Sequence, residues 1–172
     1  MKIGIIGPGE VDKYCKRAKI NKDKYEKIVS GLAKVVADKG AEIVITPDKA
    51  STSELFGLKY KEQGGKKINV IAPLDDKEFG YSWVNTGIGN NTINCGTWRN
   101  QPENLCENSD LLICIGWGGG TLCEIYYTRW FGKIKKVYII NDLIDSKLPN
   151  SLDETFKIIE YIDSNQLKEK LK

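Results

Sequence analysis

The sequence predicts a three-layer α/β domain with a mostly parallel sheet of five or more strands flanked by helices. Short apolar runs alternate with longer amphipathic stretches, which is the rhythm of β–α units and not of hairpins. The first run is apolar almost throughout, as a strand buried on both faces must be. Glycine, proline and capping residues then fall at the boundaries, where turns need them.

The elements follow in order. KIGIIG, residues 2–7, reads as the first buried strand. From Tyr25 the apolar Ile28, Val29, Leu32, Val35 and Val36 recur at helical spacing, and Gly40 supplies a C-terminal stop. EIVIT (42–46) is a second strand, ended by Pro47. STSE (51–54) is a capping box, in which Ser51 and Glu54 satisfy each other's unpaired amides, and its helix runs to Gly64-Gly65. INVIAP (68–73) is a third strand. Residues 74–98, rich in Gly, Asn and Thr, have no helical period; an irregular segment of that length suits a binding loop or lid. The rhythm resumes with a short helix around 100–109, a strand at 111–116, a helix from about Gly119 to Phe131 stopped by Gly132, and a strand at 136–141. The tail adds a strand near FKIIEYI and a last helix in NQLKEKLK. No repeat, linker or low-complexity stretch interrupts the pattern, so residues 1–172 are expected to form a single domain.

Composition removes several function classes. The chain is 41% hydrophobic and 28% charged, with 26 basic against 23 acidic residues and a net charge of +3, too small to argue for nucleic acid. No apolar run approaches the ~20 residues that span a bilayer, so no membrane partner is expected. The opening apolar run KIGIIG is too short for a signal-peptide core and has no cleavage pattern, so no secretory signal is expected. The five cysteines (15, 95, 106, 114 and 123) are odd in number and contain no C-x-x-C pair, which fits reduced thiols and a cytoplasmic location. Histidine is absent, which excludes His-based triads and His metal ligands. Neither a metal nor a resident cofactor is called for.

The chemistry concentrates at IGWGGGTLCE, residues 115–124. A strand that ends in glycines and opens a helix is an anion site, because the first helical amides lack partners and the dipole is positive there. Gly118, Gly119 and Gly120 let the backbone approach an anion with no Cβ between, and Thr121 adds a hydroxyl. Glu124 follows about one turn later, within reach of whatever the phosphate carries. The familiar glycine motifs do not fit. A Walker loop needs Lys before its Ser/Thr, and the third glycine of G-x-G-x-x-G falls on Thr121 or, for the first loop with Gly7 and Gly9, on Asp12.

GWGGGTLCE resembles the P-G-G-x-G-T-x-x-E motif of the Lonely Guy proteins, once misnamed lysine decarboxylases, and of their relatives in the SLOG superfamily. Gly118, Gly120, Thr121 and Glu124 match directly, Gly116 stands at the proline and Trp117 at the first glycine. Arg99, ahead of Ser109-Asp110, stands near the family's arginine, about two residues further from the strand. The resemblance implies a Rossmann-like fold, frequent homodimers or higher homo-oligomers, and a small-molecule nucleotide or other phosphate-bearing ligand. In its enzymes the reaction is hydrolysis of the N-glycosidic bond of a nucleoside 5′-monophosphate. Its non-catalytic relatives include molybdenum-cofactor carriers and nucleotide sensors.

Two function classes therefore stand: a phosphoribohydrolase, and a non-catalytic nucleotide- or cofactor-binding module. In the first, Glu124 would stabilise an oxocarbenium-like centre or activate water, and Arg99 would hold the phosphate or the departing base. Gly7, Gly9 and Gly116–Gly120 with Thr121 would hold the phosphate in either, and Trp117 would narrow the pocket or offer a stacking face. Two departures from the family weigh against hydrolysis: TPDKAS after the second strand where the enzymes are glycine-rich, and GPGEVDK in the first loop. Asp75 and Asp76, Asp142 and Asp145, Tyr81 and Trp83 are minor candidates.

Overall fold

The computed structural model describes residues 1–171. Seven strands among them form one sheet in the order β4-β3-β2-β1-β5-β6-β7, and every pairing is parallel. The strands are β1 (Lys2–Ile6), β2 (Glu42–Ile45), β3 (Ile68–Ala72), β4 (Asn91–Asn94), β5 (Leu111–Cys114), β6 (Val137–Ile140) and β7 (Ile159–Ile162). The helices are α1 (Val11–Ala18), α2 (Lys22–Asp38), α3 (Thr52–Glu62), α4 (Gln101–Glu107), α5 (Gly119–Tyr127), α6 (Asn150–Thr155) and α7 (Leu167–Lys170). This is a three-layer Rossmann-like α/β fold, all-parallel where the sequence predicts mostly parallel.

The central strands bury both faces. All five residues of β3 and all four of β5 and β6 are buried, and Ile3, Ile5, Ile43, Val44, Val70 and Ile113 are fully so. The predicted stop of α2 is in place: Gly40 adopts φ +61°, and its amide returns to the Ala37 carbonyl. The capping box at α3 is re-wired. Ser51 Oγ accepts from the Glu54 amide at 3.1 Å, but the Glu54 carboxylate accepts from Ala50, not Ser51, at 2.8 Å. The Ser51 amide is already committed to the Asp48 carbonyl. Ala50 holds φ +65°, a left-handed conformation that costs about a kilocalorie for a residue with a Cβ.

The structure differs from the sequence reading at several elements. β4 lies inside the segment expected to be irregular: NTIN is polar and mostly exposed at a sheet edge, so it carries no apolar signal. α1 begins inside the expected first loop and runs through residues for which no element was predicted, although Val11, Tyr14 and Cys15 bury one face at i, i+3, i+4. α2 starts earlier, at Lys22, because the Asn21 side chain caps the Lys24 amide. α5 ends at Tyr127, not Phe131, and continues as a 3₁₀ turn over Thr128–Trp130. α6, also unforeseen, follows Pro149. The last predicted helix narrows to α7, preceded by a 3₁₀ turn over Ser164–Gln166, and its final residue, Lys172, lies outside the described residues.

Candidate functional site

Strand order reverses between β1 and β5, which run side by side in register from Ile3↔Leu111 to Ile6↔Cys114. In open α/β sheets ligands bind at this switch point, outside the carboxyl ends of the strands, because the two flanking loops diverge to opposite faces. The first loop, Gly7-Pro8-Gly9, and the fifth, Gly116-Trp117-Gly118, therefore meet there.

Their contact is close. A Cβ on Gly118 would sit 3.3 Å from Pro8 Cα and 3.4 Å from Thr121 Oγ1, and one on Gly7 would sit 2.9 Å from the Thr52 side chain. Gly116 adopts φ +102°, and a Cβ there would press to 2.7 Å from the Tyr14 ring. The loops are cross-tied from below. Tyr25 Oη donates to the Ile115 carbonyl at 2.7 Å and lies 2.7 Å from Thr52 Oγ1, while the Thr52 amide donates to the Pro8 carbonyl. Burial moves the Tyr25 phenol well above its usual range, against the opposing pull of the Thr52 hydrogen bond, so it remains a neutral strut.

α5 opens at Gly118, which has extended dihedrals and no side-chain cap. Its first amides are left for an outside acceptor. Space above them is free: a Cβ on Gly119 or Gly120 would have nothing within 4 Å. Thr121 is 1% exposed and its Oγ1 has no hydrogen-bond partner. A buried hydroxyl left unpaired costs about 1–3 kcal/mol, so the turn carries one hydrogen-bonding group that the fold itself leaves unused.

A cleft of about 470 Å³ lies over this turn, lined by Gly7 and Gly9, by Gly118–Thr121, and by Thr46, Asp48, Trp98, Gln101 and Glu124, among others. Glu124 is 8% exposed. Gln101 Nε2 donates to Glu124 Oε1 at 2.9 Å and to Thr46 Oγ1 at 2.8 Å. Burial pushes the Glu124 carboxyl up to about 8, against the opposing pull of Gln101 and with a push from Asp48. At neutral pH it is chiefly the protonated acid. Asp48, just past β2, is raised to about 6 by burial and then by Glu54, and its Oδ1 is buried without a partner.

A second cleft of about 580 Å³ lies beyond Gly9, Asp48 and Gly118, which border both, and it is lined further by Lys13, Tyr14, Arg17, Lys49, Trp83 and Trp117. Trp83 forms part of its wall and is tied back to the segment after β2. Asp48 and Val84 pair as an antiparallel bridge, and the Lys49 amide donates to the Trp83 carbonyl at 2.9 Å. Trp83 stacks on Trp98 with centroids 5.7 Å apart and planes 2° from parallel.

The structure brings Gly7, Gly9, Gly118, Gly119, Gly120, Thr121 and Glu124 around one cleft. Gly116 sits beneath it as a turn residue packed on Tyr14. Trp117 is buried, with Nε1–H donating to the Ser146 carbonyl at 2.7 Å, so it serves chiefly as packing and as one wall of the second cleft. Arg99 is not gathered in. It lies in the 3₁₀ turn before α4, its side chain is 76% exposed, and it pairs with Glu78 at 2.7 Å. Gln101, two residues on, makes the contact with Glu124 instead.

Asp76 accepts from the Glu78, Phe79 and Trp98 amides, which makes it the organiser of the 76–98 loop. Asp75 receives the Asn94 amide group, Asp142 the Ser164 amide, and Asp145 lies 3.8 Å from Arg17. Sequence reasoning missed Gln101, which has no charge to flag it, and Asp48, whose signal was an acid at the carboxyl edge of the second strand.

No family model and no curated protein matches the sequence. Solved structures do match in shape. A molybdenum cofactor binding protein from the phototrophic bacterium Rippkaea orientalis is 18% identical, with 99% of this chain and 94% of that one aligned at a TM-score of 0.72. The molybdenum cofactor carrier protein of Chlamydomonas reinhardtii is 17% identical over 99% and 96% of the two chains, with a TM-score of 0.73. TM1055, a structural-genomics target, is 20% identical over 99% and 97%, with a TM-score of 0.68. At these identities the likeness establishes the Rossmann-like fold that the strand order describes.

Proposed function

We propose that this protein is a non-catalytic binding module for a phosphate-bearing, nucleotide-like cofactor, held with its phosphate on the amino end of α5. The observation that carries this is Thr121 Oγ1: buried, unpartnered, and set in the turn whose glycines leave the helix amides open. The structural neighbours named for the molybdenum cofactor support the cofactor reading over hydrolysis. That cofactor is a pterin with a terminal phosphate, and the residues present fit such a group: backbone donors and a hydroxyl for the phosphate, and a cleft of ample volume beside them. The task proposed here is to bind such a group without turning it over.

Glu124 fits binding better than N-glycoside hydrolysis. A carboxylate that steadies an oxocarbenium centre must be ionised, whereas burial keeps Glu124 protonated near neutrality. A neutral acid, with Gln101 on one oxygen, can donate its own O–H to a ligand oxygen. Arg99, the other residue expected to act in hydrolysis, is engaged with Glu78.

The test is calorimetric titration with ribose 5-phosphate, a panel of nucleoside 5′-monophosphates and a pterin phosphate, each followed by chromatography for released base. Binding without release supports the module. Steady liberation of base would overturn it in favour of the phosphoribohydrolase.

A further inference from the structure

Asp48 is the residue that the phosphate-binding reading does not use. It borders the cleft over α5, the second cleft, and a recess of about 270 Å³ formed with Phe79, Trp83 and Trp98. Its carboxylate has one oxygen buried without a donor. The neighbouring acid is no substitute partner, because Glu54 is consumed by the Ala50 amide and by Asn85 Nδ2 at 2.9 Å. Beside it the indoles of Trp83 and Trp98 are stacked and anchored, Trp98 through Nε1–H to the Gly80 carbonyl at 2.8 Å and Trp83 through its carbonyl to the Lys49 amide. Phe79 is 60% exposed at the mouth of the recess.

An aromatic wall next to a carboxylate short of donors suits a flat heterocycle with paired N–H groups on one edge. We propose that Asp48 selects ligands whose ring presents a 2-amino-4-oxopyrimidine edge, as in pterins and guanine, with the ring against the Trp83–Trp98 pair and the phosphate on the α5 turn. The two parallel N–H groups of that edge match the two oxygens of one carboxylate. Adenine places a ring acceptor beside its single amino group, and hypoxanthine lacks the 2-amino group, so both leave the carboxylate short of a donor. This assignment rests on the phosphate-binding reading and adds a ring specificity to it.

The experiment is calorimetry of the full chain with guanosine, inosine and adenosine 5′-monophosphates, with ribose 5-phosphate as the ring-free probe, on the wild type and on Asp48→Asn. Wild-type protein is expected to prefer the guanosine compound at least about tenfold over the other two nucleotides. Asp48→Asn should erase that preference while ribose 5-phosphate still binds. Equal wild-type affinity for the three nucleotides, or an undiminished preference in Asp48→Asn, would overturn the ring assignment while ribose 5-phosphate binding still stood. Failure of every phosphate compound to bind would remove the phosphate site and this assignment with it. The wild-type panel needs no variant, so the outcome does not depend on how well Asp48→Asn folds.

Discussion

Gln101 and Glu124 are joined by a 2.9 Å hydrogen bond between the start of α4 and the second turn of α5, and the same amide nitrogen reaches Thr46 beyond β2. The segment after β2, the start of α4 and α5 are thereby tied through one buried side-chain amide. This contact fixes where Glu124 points and keeps one of its oxygens occupied.

The proton on Glu124 ties stability to pH. Its carboxyl is raised from 4.5 to about 8, so between those values the unfolded chain has released a proton that the folded chain keeps. Stability is therefore unaffected by this group below about pH 4.5, falls as pH rises to about 8, and levels off above. Asp48 adds the same sign between 3.8 and about 6. Glu124→Gln keeps the shape and removes the titration, so it should be the more stable protein at pH 8 by on the order of a few kcal/mol, and close to wild type at pH 5. Urea melts at both pH values check this. A gap between the two proteins that does not change with pH would refute it.

Thr121→Val separates a ligand role from a packing role. Replacing an unpartnered buried hydroxyl with a methyl of similar shape should leave the free protein as stable as before, or raise it by about 1 kcal/mol. Affinity for ribose 5-phosphate should drop by roughly tenfold, the loss of one charge-assisted hydrogen bond. A large loss of stability with unchanged affinity would show that the hydroxyl serves the fold.

Gly116→Ala should be costly. Its φ of +102° strains a side-chain-bearing residue, and the added Cβ meets the Tyr14 ring at 2.7 Å. That ring is held by its hydroxyl on the Leu143 carbonyl at 2.7 Å and by Arg17 stacked 5.1 Å from its centroid. A loss of about 2 kcal/mol or more is expected in thermal or urea unfolding. A loss under about 0.5 kcal/mol would mean the turn adapts.

Arg99→Ala tests the residue that sequence resemblance placed at the ligand. With its side chain exposed and paired to Glu78, truncation should change phosphate affinity less than about twofold and stability by about 0.5 kcal/mol at most. A tenfold loss of affinity would return Arg99 to the site.

Much of the architecture was legible because parallel strands announce themselves: KIGII, EIVI, INVIA, LLIC and VYII are apolar runs that only a doubly covered sheet accommodates. β4 was not, since NTIN pairs along an exposed edge and is held by backbone bonds that leave no composition signal. The glycine turn and Glu124 were legible because removal of side chains before a helix is itself a chemical statement. Asp48 and Gln101 were harder: their roles come from loops after β2 and β4 converging on α5, and no local pattern encodes that convergence.

The most direct measurement is an amide NMR titration of the wild-type protein with ribose 5-phosphate. The account expects the largest saturable shifts at the amides of Gly118, Gly119, Gly120 and Thr121, with smaller ones at Gly7 and Gly9. Shifts scattered over surface lysines, with these amides unmoved at saturating ligand, would contradict it.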